Sequence, residues 1–374
     1  MGRQLDTQES ALAWAACPKC GSSLSADGSR VSCQQCVQSW ELRDGIPRFY
    51  DPGYYWGEVP QQEAASLLSE ARRLGWRQAV QQDFQNNPAA IYSILQWQSR
   101  AAWLPLLGLP ENAVALDVGS GYGAITHALA NSCAEVYSVE AIPERIEFTR
   151  LRMAQERLTN VQLLQASATE LPIGENAFDL IVVNGVLEWV GEWDTSTSPK
   201  EVQLRFLRKL QRALKPGGAL LIGIENRIGY SSFRGGLDHS GLPYTSLMPR
   251  WMASFVLRHS KRAHHRSQLN EKREYRTYTY SEWGYRRLLR KSGFSDLSFY
   301  AAEPGYNKPT SLVPVQSHAL SAHILRMMSE PKLGARRRWP RLTKLYLSRL
   351  GLLRPFVPEF VIIATKENSN VPAQ

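Results

Sequence analysis

Leu116-Asp-Val-Gly-Ser-Gly-Tyr-Gly-Ala-Ile-Thr126 is the stretch on which the fold turns. An apolar run, Ala113–Val118, leads directly into Gly119-x-Gly121-x-Gly123 and then into a helical pattern, Ala124–Asn131. Glycine has no Cβ, so such a turn can tighten and let a ligand approach the backbone. Strand, glycine turn and helix in that order open an α/β nucleotide-binding unit. Further apolar runs follow at Glu135–Ala141, Val161–Ala166, Phe178–Asn184 and Ala219–Ile224. Helical patterns at Pro143–Leu158 and Lys200–Leu214 lie between them. This alternation predicts an α/β fold with a mostly parallel sheet and helices on both faces.

A glycine turn after a strand also serves NAD and FAD. Here the spacing is G-x-G-x-G, and Asp117 stands before the first glycine. Both details resemble motif I of class I methyltransferases, which use S-adenosylmethionine. The resemblance continues in order: Glu140 at the end of the second strand, Gln165-Ala-Ser-Ala-Thr-Glu-Leu-Pro172 after the third, Phe178–Val190 around the fourth, and Leu214-Lys-Pro-Gly-Gly218 before the fifth. It implies a Rossmann-like, seven-stranded sheet and a cofactor site of Asp117, Gly119, Ser120, Gly121, Gly123, Glu140, Ala166, Ser167, Ala168 and Asn184. In that family an acidic residue at the position of Glu140 takes both ribose hydroxyls, since a carboxylate accepts two hydrogen bonds at once. Ser167 departs from the pattern, because the family usually has Asp there.

Cys17-Pro-Lys-Cys20 and Cys33-Gln-Gln-Cys36 are two C-x-x-C knuckles around a hairpin, Ser22–Val31, with Asp27-Gly28 as its turn. Four thiolates brought to one ion make a closed tetrahedral zinc site, structural in kind. With Trp40-Glu-Leu-Arg-Asp-Gly-Ile-Pro47, the module resembles the zinc ribbons of small methyltransferase activators and of some bacterial methyltransferases. Cys133 stands alone and reads as a small buried hydrophobe. The expected organisation is a ribbon over 1–50 and a helical segment over 51–107 packing on the core. A methyltransferase domain over 108–374 follows, with insertions at about 225–275 and 303–358.

The composition, 43% hydrophobic and 21% charged, is that of a globular protein, and no apolar run reaches the roughly 18 residues of a membrane helix. Met1–Ser10 lacks the apolar core of a signal peptide, so a cytoplasmic protein is expected. The net charge of +10 is uneven. Arg250–Lys291 holds 12 Lys/Arg against 3 Asp/Glu, and Arg326–Arg354 holds 9 against Glu330 alone. An anionic partner is expected on that half. Leu342, Leu345, Leu350 and Leu353 fall at roughly helical spacing between cations, including Arg336, Arg337, Arg338, Arg341, Lys344 and Arg349. Such a segment suits the face of an anionic membrane.

After the fourth strand Asn184-Gly-Val-Leu stands where methyltransferases of exocyclic base amines carry D/N-P-P-Y/F/W. Oxygen, ring-nitrogen and aliphatic-amine acceptors stay open. Asp238-His239 is the expected base pair, a neutral imidazole beside a carboxylate, and Glu188 is the second candidate. Glu225-Asn-Arg-Ile-Gly-Tyr230, Asp238–Arg250 and Tyr275-Arg-Thr-Tyr-Thr-Tyr280 resemble a bacterial methyltransferase group associated with surface-polysaccharide and secondary-metabolite pathways. That resemblance implies a sugar, glycan or related small-molecule hydroxyl as acceptor. An RNA methyltransferase gripping the phosphate backbone with its ribbon and basic insertions is the second reading. A non-catalytic S-adenosylmethionine-binding scaffold is the third.

Overall fold

The structure is a computed structural model and describes residues 14–52, 59–83, 97–260, 274–328, 342–343 and 345–368. Arg336, Arg337, Arg338, Arg341 and Lys344 of the expected basic amphipathic segment lie outside the described residues. The chain divides into two compact units. The first comprises 1–186, 205–220 and 365–374; the second comprises 187–204 and 221–364.

In the first unit, β1 (Ser25–Ala26), β2 (Arg30–Cys33), β3 (Gln38–Arg43) and β4 (Ile46–Arg48) form an antiparallel meander, the ribbon. Its last strand joins the edge of a parallel sheet, with Arg48 opposite Gln165. The order then runs β4-β7-β6-β5-β8, where β5 is Val114–Val118, β6 Glu135–Glu140, β7 Val161–Gln165 and β8 Phe178–Asn184. The start of β9 (Leu214–Glu225) follows β8 in that order. In the second unit the end of β9 is followed by β12 (Glu359–Thr365), β10 (Asp296–Glu303) and β11 (Ser311–Pro314), and β10 and β11 pair antiparallel. Among the described residues the strands number twelve and are of mixed direction, against the seven expected. The ribbon's free edge hydrogen-bonds to β7, so ribbon and sheet share one ladder.

Hydrophobic residues at helical spacing explain the layer over the sheet. In α1 (Gln61–Leu74), Ala64, Leu67, Leu68 and Ala71 recur with the helical period and are all buried. They pack with Trp76, Ala79 and Val80 of α2 (Trp76–Asp83) against Tyr122 and Phe148. Phe148 belongs to α4 (Pro143–Gln155), which follows β6 as α3 (Ala124–Ala130) follows the glycine turn. Under this layer Arg152 is fully buried, its guanidinium 4.2 Å from the Trp76 ring centre and donating to the carbonyl of Tyr122. Ile46 packs on Ile146 and Leu163, so the ribbon shares the core as well as the sheet.

Candidate active site

The first unit presents the C-terminal end of its parallel strands as a backbone cradle. Gly119, Gly121 and Gly123 have φ of +70°, +58° and +72°, a region open to glycine and costly for other residues. A Cβ on Gly119 would come within 2.5 Å of Val186, and one on Gly123 within 2.6 Å of Thr149. Glu140 is buried and accepts three backbone amides: Gly121 N at 2.8 Å, Ala141 N at 2.9 Å and Ile142 N at 3.0 Å. Its carboxylate thus ties the glycine turn to the end of β6. Asp117 accepts the Thr126 hydroxyl at 2.7 Å, and burial pushes its carboxyl up to about 6 against that bond.

Ala166, Ser167 and Ala168 are buried beside this turn, with Ala166 N donating to the carbonyl of Glu140. The Ser167 hydroxyl closes a local turn with Thr169 at 2.8 Å. Asn184 ends β8 and is buried. Ser120 Oγ is buried with no hydrogen-bond partner among the described residues. An orphaned hydroxyl beside three left-handed glycines fits a ligand with polar groups at the turn. S-adenosylmethionine, with its ribose and amino-acid ends, has them. All ten expected cofactor residues lie on the turn or the strand ends that surround it.

The second unit holds a separate cluster of titratable side chains, partly buried. Glu188 lies four residues past Asn184 in the chain and is fully buried. His239 Nε2 lies 3.2 Å from Glu225 Oε2 and 3.9 Å from Glu188 Oε1. Trp189 sets its ring edge-on to the imidazole at 4.6 Å. Glu225 also accepts the Tyr306 hydroxyl at 3.0 Å, and Glu359 accepts the Tyr306 amide at 2.9 Å. Burial opposes the charge on His239, but Glu225, with help from Glu188 and Asp238, holds its pKa up to about 9. Burial raises Glu225, and the imidazolium more than offsets it, leaving that carboxyl lowered. Burial and the charge of Glu225 together push Glu359 up to about 7.

Two expectations change here. Asp238 does not hydrogen-bond to the adjacent imidazole. Its oxygens accept Ser240 N and Oγ, Thr245 Oγ1 at 2.7 Å and Tyr275 OH at 3.0 Å, which leaves no capacity for a fifth donor. The partner of His239 is Glu225, and at neutral pH the ring is cationic rather than neutral. Glu225, Tyr306 and Glu359 were missed as site residues. The available signal was Glu225 itself, a carboxylate at the C-terminal end of a strand, where α/β sheets bind ligands.

The remaining motif residues act as braces within this unit. Asn226 donates to the carbonyls of Pro355 and Val357, and Arg227 to those of Ser246 and Met248. Arg276 donates to those of Gly191, Asp194 and Thr197. Tyr275 and Tyr285 are buried, so they present no free ring for stacking.

In the ribbon, Cys17 and Cys36 bring their sulfurs to 3.5 Å, as do Cys20 and Cys33, and all four sulfurs lie within 4.8 Å of one another. All four are free thiols.

Residues 116–222 match the family model for a methyltransferase domain. The chain is 26% identical over 138 residues to a demethylmenaquinone methyltransferase of Bacillus licheniformis, covering 34% of this chain and 53% of that protein. It is 33% identical over 113 residues to a probable cobalt-precorrin-6B C(15)-methyltransferase (decarboxylating) of Methanothermobacter thermautotrophicus, covering 30% and 52%. The chain thus spans about half the length of the curated relatives it matches. Among solved structures it is similar to Haemonchus contortus phosphoethanolamine N-methyltransferase 2 in complex with S-adenosyl-L-methionine, at 17% identity, 73% and 53% coverage and a TM-score of 0.41.

The glycine turn and the His239 cluster give two expected outcomes. Gly119→Ala, strained at φ +70° and driven into Val186, and Glu140→Ala, which frees three amides, should each weaken S-adenosylmethionine binding about ten- to hundredfold by calorimetry. Unchanged affinity in both would remove the turn from the cofactor site. His239, raised from 6.5 to about 9, contributes stability that is complete below pH 6.5 and lost as pH rises through 9. Denaturant melts should show stability falling between pH 6.5 and 9, and His239→Gln should flatten that slope. Over residues 116–222 the chain carries a methyltransferase domain of the S-adenosylmethionine-dependent class.

Proposed function

We propose that the protein transfers a methyl group from S-adenosylmethionine to a hydroxyl of a sugar, glycan or related small molecule, with His239 as the general base. The observation that carries this reading is the Glu188–His239–Glu225 cluster, in which His239 lies 3.2 Å from Glu225 and 3.9 Å from the buried Glu188. Bound S-adenosylmethionine supplies a methyl group on a sulfonium, open to in-line displacement by a nucleophile. A hydroxyl attacks well only as its proton leaves, so a positioned base is needed. Glu225, Glu188 and Asp238 carry negative charge near His239, which raises the basicity of the imidazole. Once it has lost its own proton, the ring can take the acceptor's proton and pass it to solvent. Glu225 fixes the ring through Nε2, and Tyr306 in turn fixes Glu225.

The test is labelled methyl transfer to extracted glycans and small molecules, with products identified by mass spectrometry. The rate should rise with pH toward a plateau above about 9, and His239→Gln should lower kcat by about 10²- to 10⁴-fold without moving the S-adenosylmethionine Kd. A flat pH profile with an active His239→Gln enzyme would remove His239 from the base role. A labelled RNA product would establish the second reading, which the cationic second unit favours. Cofactor binding with no methylated product would leave the scaffold reading.

The ribbon is proposed to hold one zinc ion on Cys17, Cys20, Cys33 and Cys36. Four thiolates at Zn–S bonds of about 2.3 Å stand roughly 3.8 Å apart in a tetrahedron, close to the spacing seen here. Freshly reduced protein should contain one zinc per chain by mass spectrometric metal analysis, and Cys33→Ser should release it and lower the melting temperature. Reduced wild-type protein free of zinc would defeat the assignment.

A further inference from the structure

Charge and exposed apolar surface concentrate on the same part of this chain. Among the described residues the first unit exposes two large apolar side chains, Val37 and Leu106, and the second exposes twelve. By sequence the second unit also holds 25 Lys/Arg against 13 Asp/Glu, a net of +12, so the first unit is left at −2 of the chain's +10. Scattered exposed apolar residues need no explanation; this segregation does.

Two helices of the second unit carry the feature most sharply. In α6 (Arg250–His259), Ala253 and Leu257 pack inward with Tyr275. That orientation turns Trp251 and Phe255, one helical turn apart, into solvent at 73% and 57% exposure. Residues 250–273 carry seven Lys/Arg against Glu271 alone. In α7 (Glu282–Lys291), Tyr285, Leu288 and Leu289 are buried, while Trp283 is 85% exposed. Trp283 shares a surface groove of about 450 Å³ with Arg286, Arg287, Arg290 and Lys291. Outward, α6 therefore shows Trp251, Phe255 and Arg258, and α7 shows Trp283 among Arg287, Arg290 and Lys291.

We propose that α6 and α7 form a docking surface for an anionic lipid bilayer. Indoles sit well at the headgroup boundary, with their apolar rings in lipid and their N–H groups in the wet layer. Phe255 inserts beside Trp251, and the exposed cations Arg258 of α6 and Arg287, Arg290 and Lys291 of α7 meet lipid phosphates. A bilayer is favoured over RNA by the exposed side chains that are neither aromatic nor charged. Leu237, Leu325, Leu342, Leu350 and Leu352 are all exposed on this unit. Aliphatic groups gain nothing from stacking on a base, whereas they lose water on entering lipid. No helix among the described residues is long and apolar enough to cross a membrane, so the contact is a peripheral one. The surface is independent of which acceptor the enzyme uses.

Co-sedimentation of the full chain with phosphatidylglycerol and phosphatidylcholine vesicles at low and high salt tests this. Binding is expected to phosphatidylglycerol alone and to weaken with salt. Trp251→Ser/Phe255→Ser should lower it at least about tenfold, with an unchanged melting temperature because both side chains are exposed. Phe255→Asp alone should do the same and keeps the test sound if the double variant folds poorly. Absence of binding to phosphatidylglycerol, or binding that both variants retain, would overturn the proposal. Single-stranded RNA affinity that the variants abolish, with no vesicle binding, would assign the surface to nucleic acid instead. Self-association abolished by the variants, again with no vesicle binding, would assign it to a second copy of the chain.

Discussion

The three hydrogen bonds into the carboxylate of Glu140 hold the cofactor half of this molecule together. A glycine turn with three left-handed residues has little intrinsic reason to stay in one shape, since glycine gives up the most freedom on ordering. Glu140 supplies that reason by accepting Gly121 N with one oxygen while the other accepts Ala141 N and Ile142 N. A charged acceptor makes each bond stronger than a neutral one would. A carboxylate has about four acceptor sites, so capacity is left for a ligand hydroxyl. The same side chain can therefore shape the turn and receive the ribose, and both roles need the charge.

The second unit poses the opposite electrostatic problem. Glu188, fully buried, and Glu225, partly buried, lie around one imidazole. Removing such charges from water is costly unless each is paired and hydrogen-bonded. The molecule meets part of that cost by keeping His239 protonated, and part by aiming the Tyr306 hydroxyl at Glu225. Glu359 meets it differently, since a carboxyl pushed up to about 7 is partly neutral near physiological pH. A cluster poised in this way responds to pH and to any polar group that enters it. Purely structural ion pairs have no need of that sensitivity.

Much of the α/β core was legible because its signals are local. The expected strand Phe178–Asn184 has the observed bounds. Runs of apolar residues buried on both faces read the same way in sequence and in space. The glycine turn and the strand ends around it were legible because their conformation is written into consecutive residues. The cluster around His239 was not. Adjacent residues in a turn point in different directions, so Asp238 next to His239 in the chain meant nothing for their contact. Asp238 instead closes a turn with Ser240 and Thr245. Glu225, Tyr306 and Glu359 converge from three distant segments, and no spacing in one sequence encodes that.

The ribbon shows why counting strands failed. Edge strands expose unpaired amides and carbonyls, so a parallel sheet ending at β7 would carry an open template for aggregation. Here β4 covers that edge, and Phe49 N donates to the carbonyl of Gln165 at 2.8 Å. The outermost strand, β1, has two residues, too short to template another chain. Gln165 is gripped from the ribbon side twice. Its Oε1 accepts from Arg48, and its Nε2 donates to the carbonyl of Tyr50. Arg48 is itself tied to Glu147 of α4 at 2.8 Å. Gln165 is also the residue from which Ala166, Ser167 and Ala168 depart. A module that looks like an appendage in sequence is thus the lateral wall of the strand that ends in the cofactor loop. Residues 48–50 thereby reach, through one ladder bond and one amide side chain, the strand end from which residues 166–168 depart.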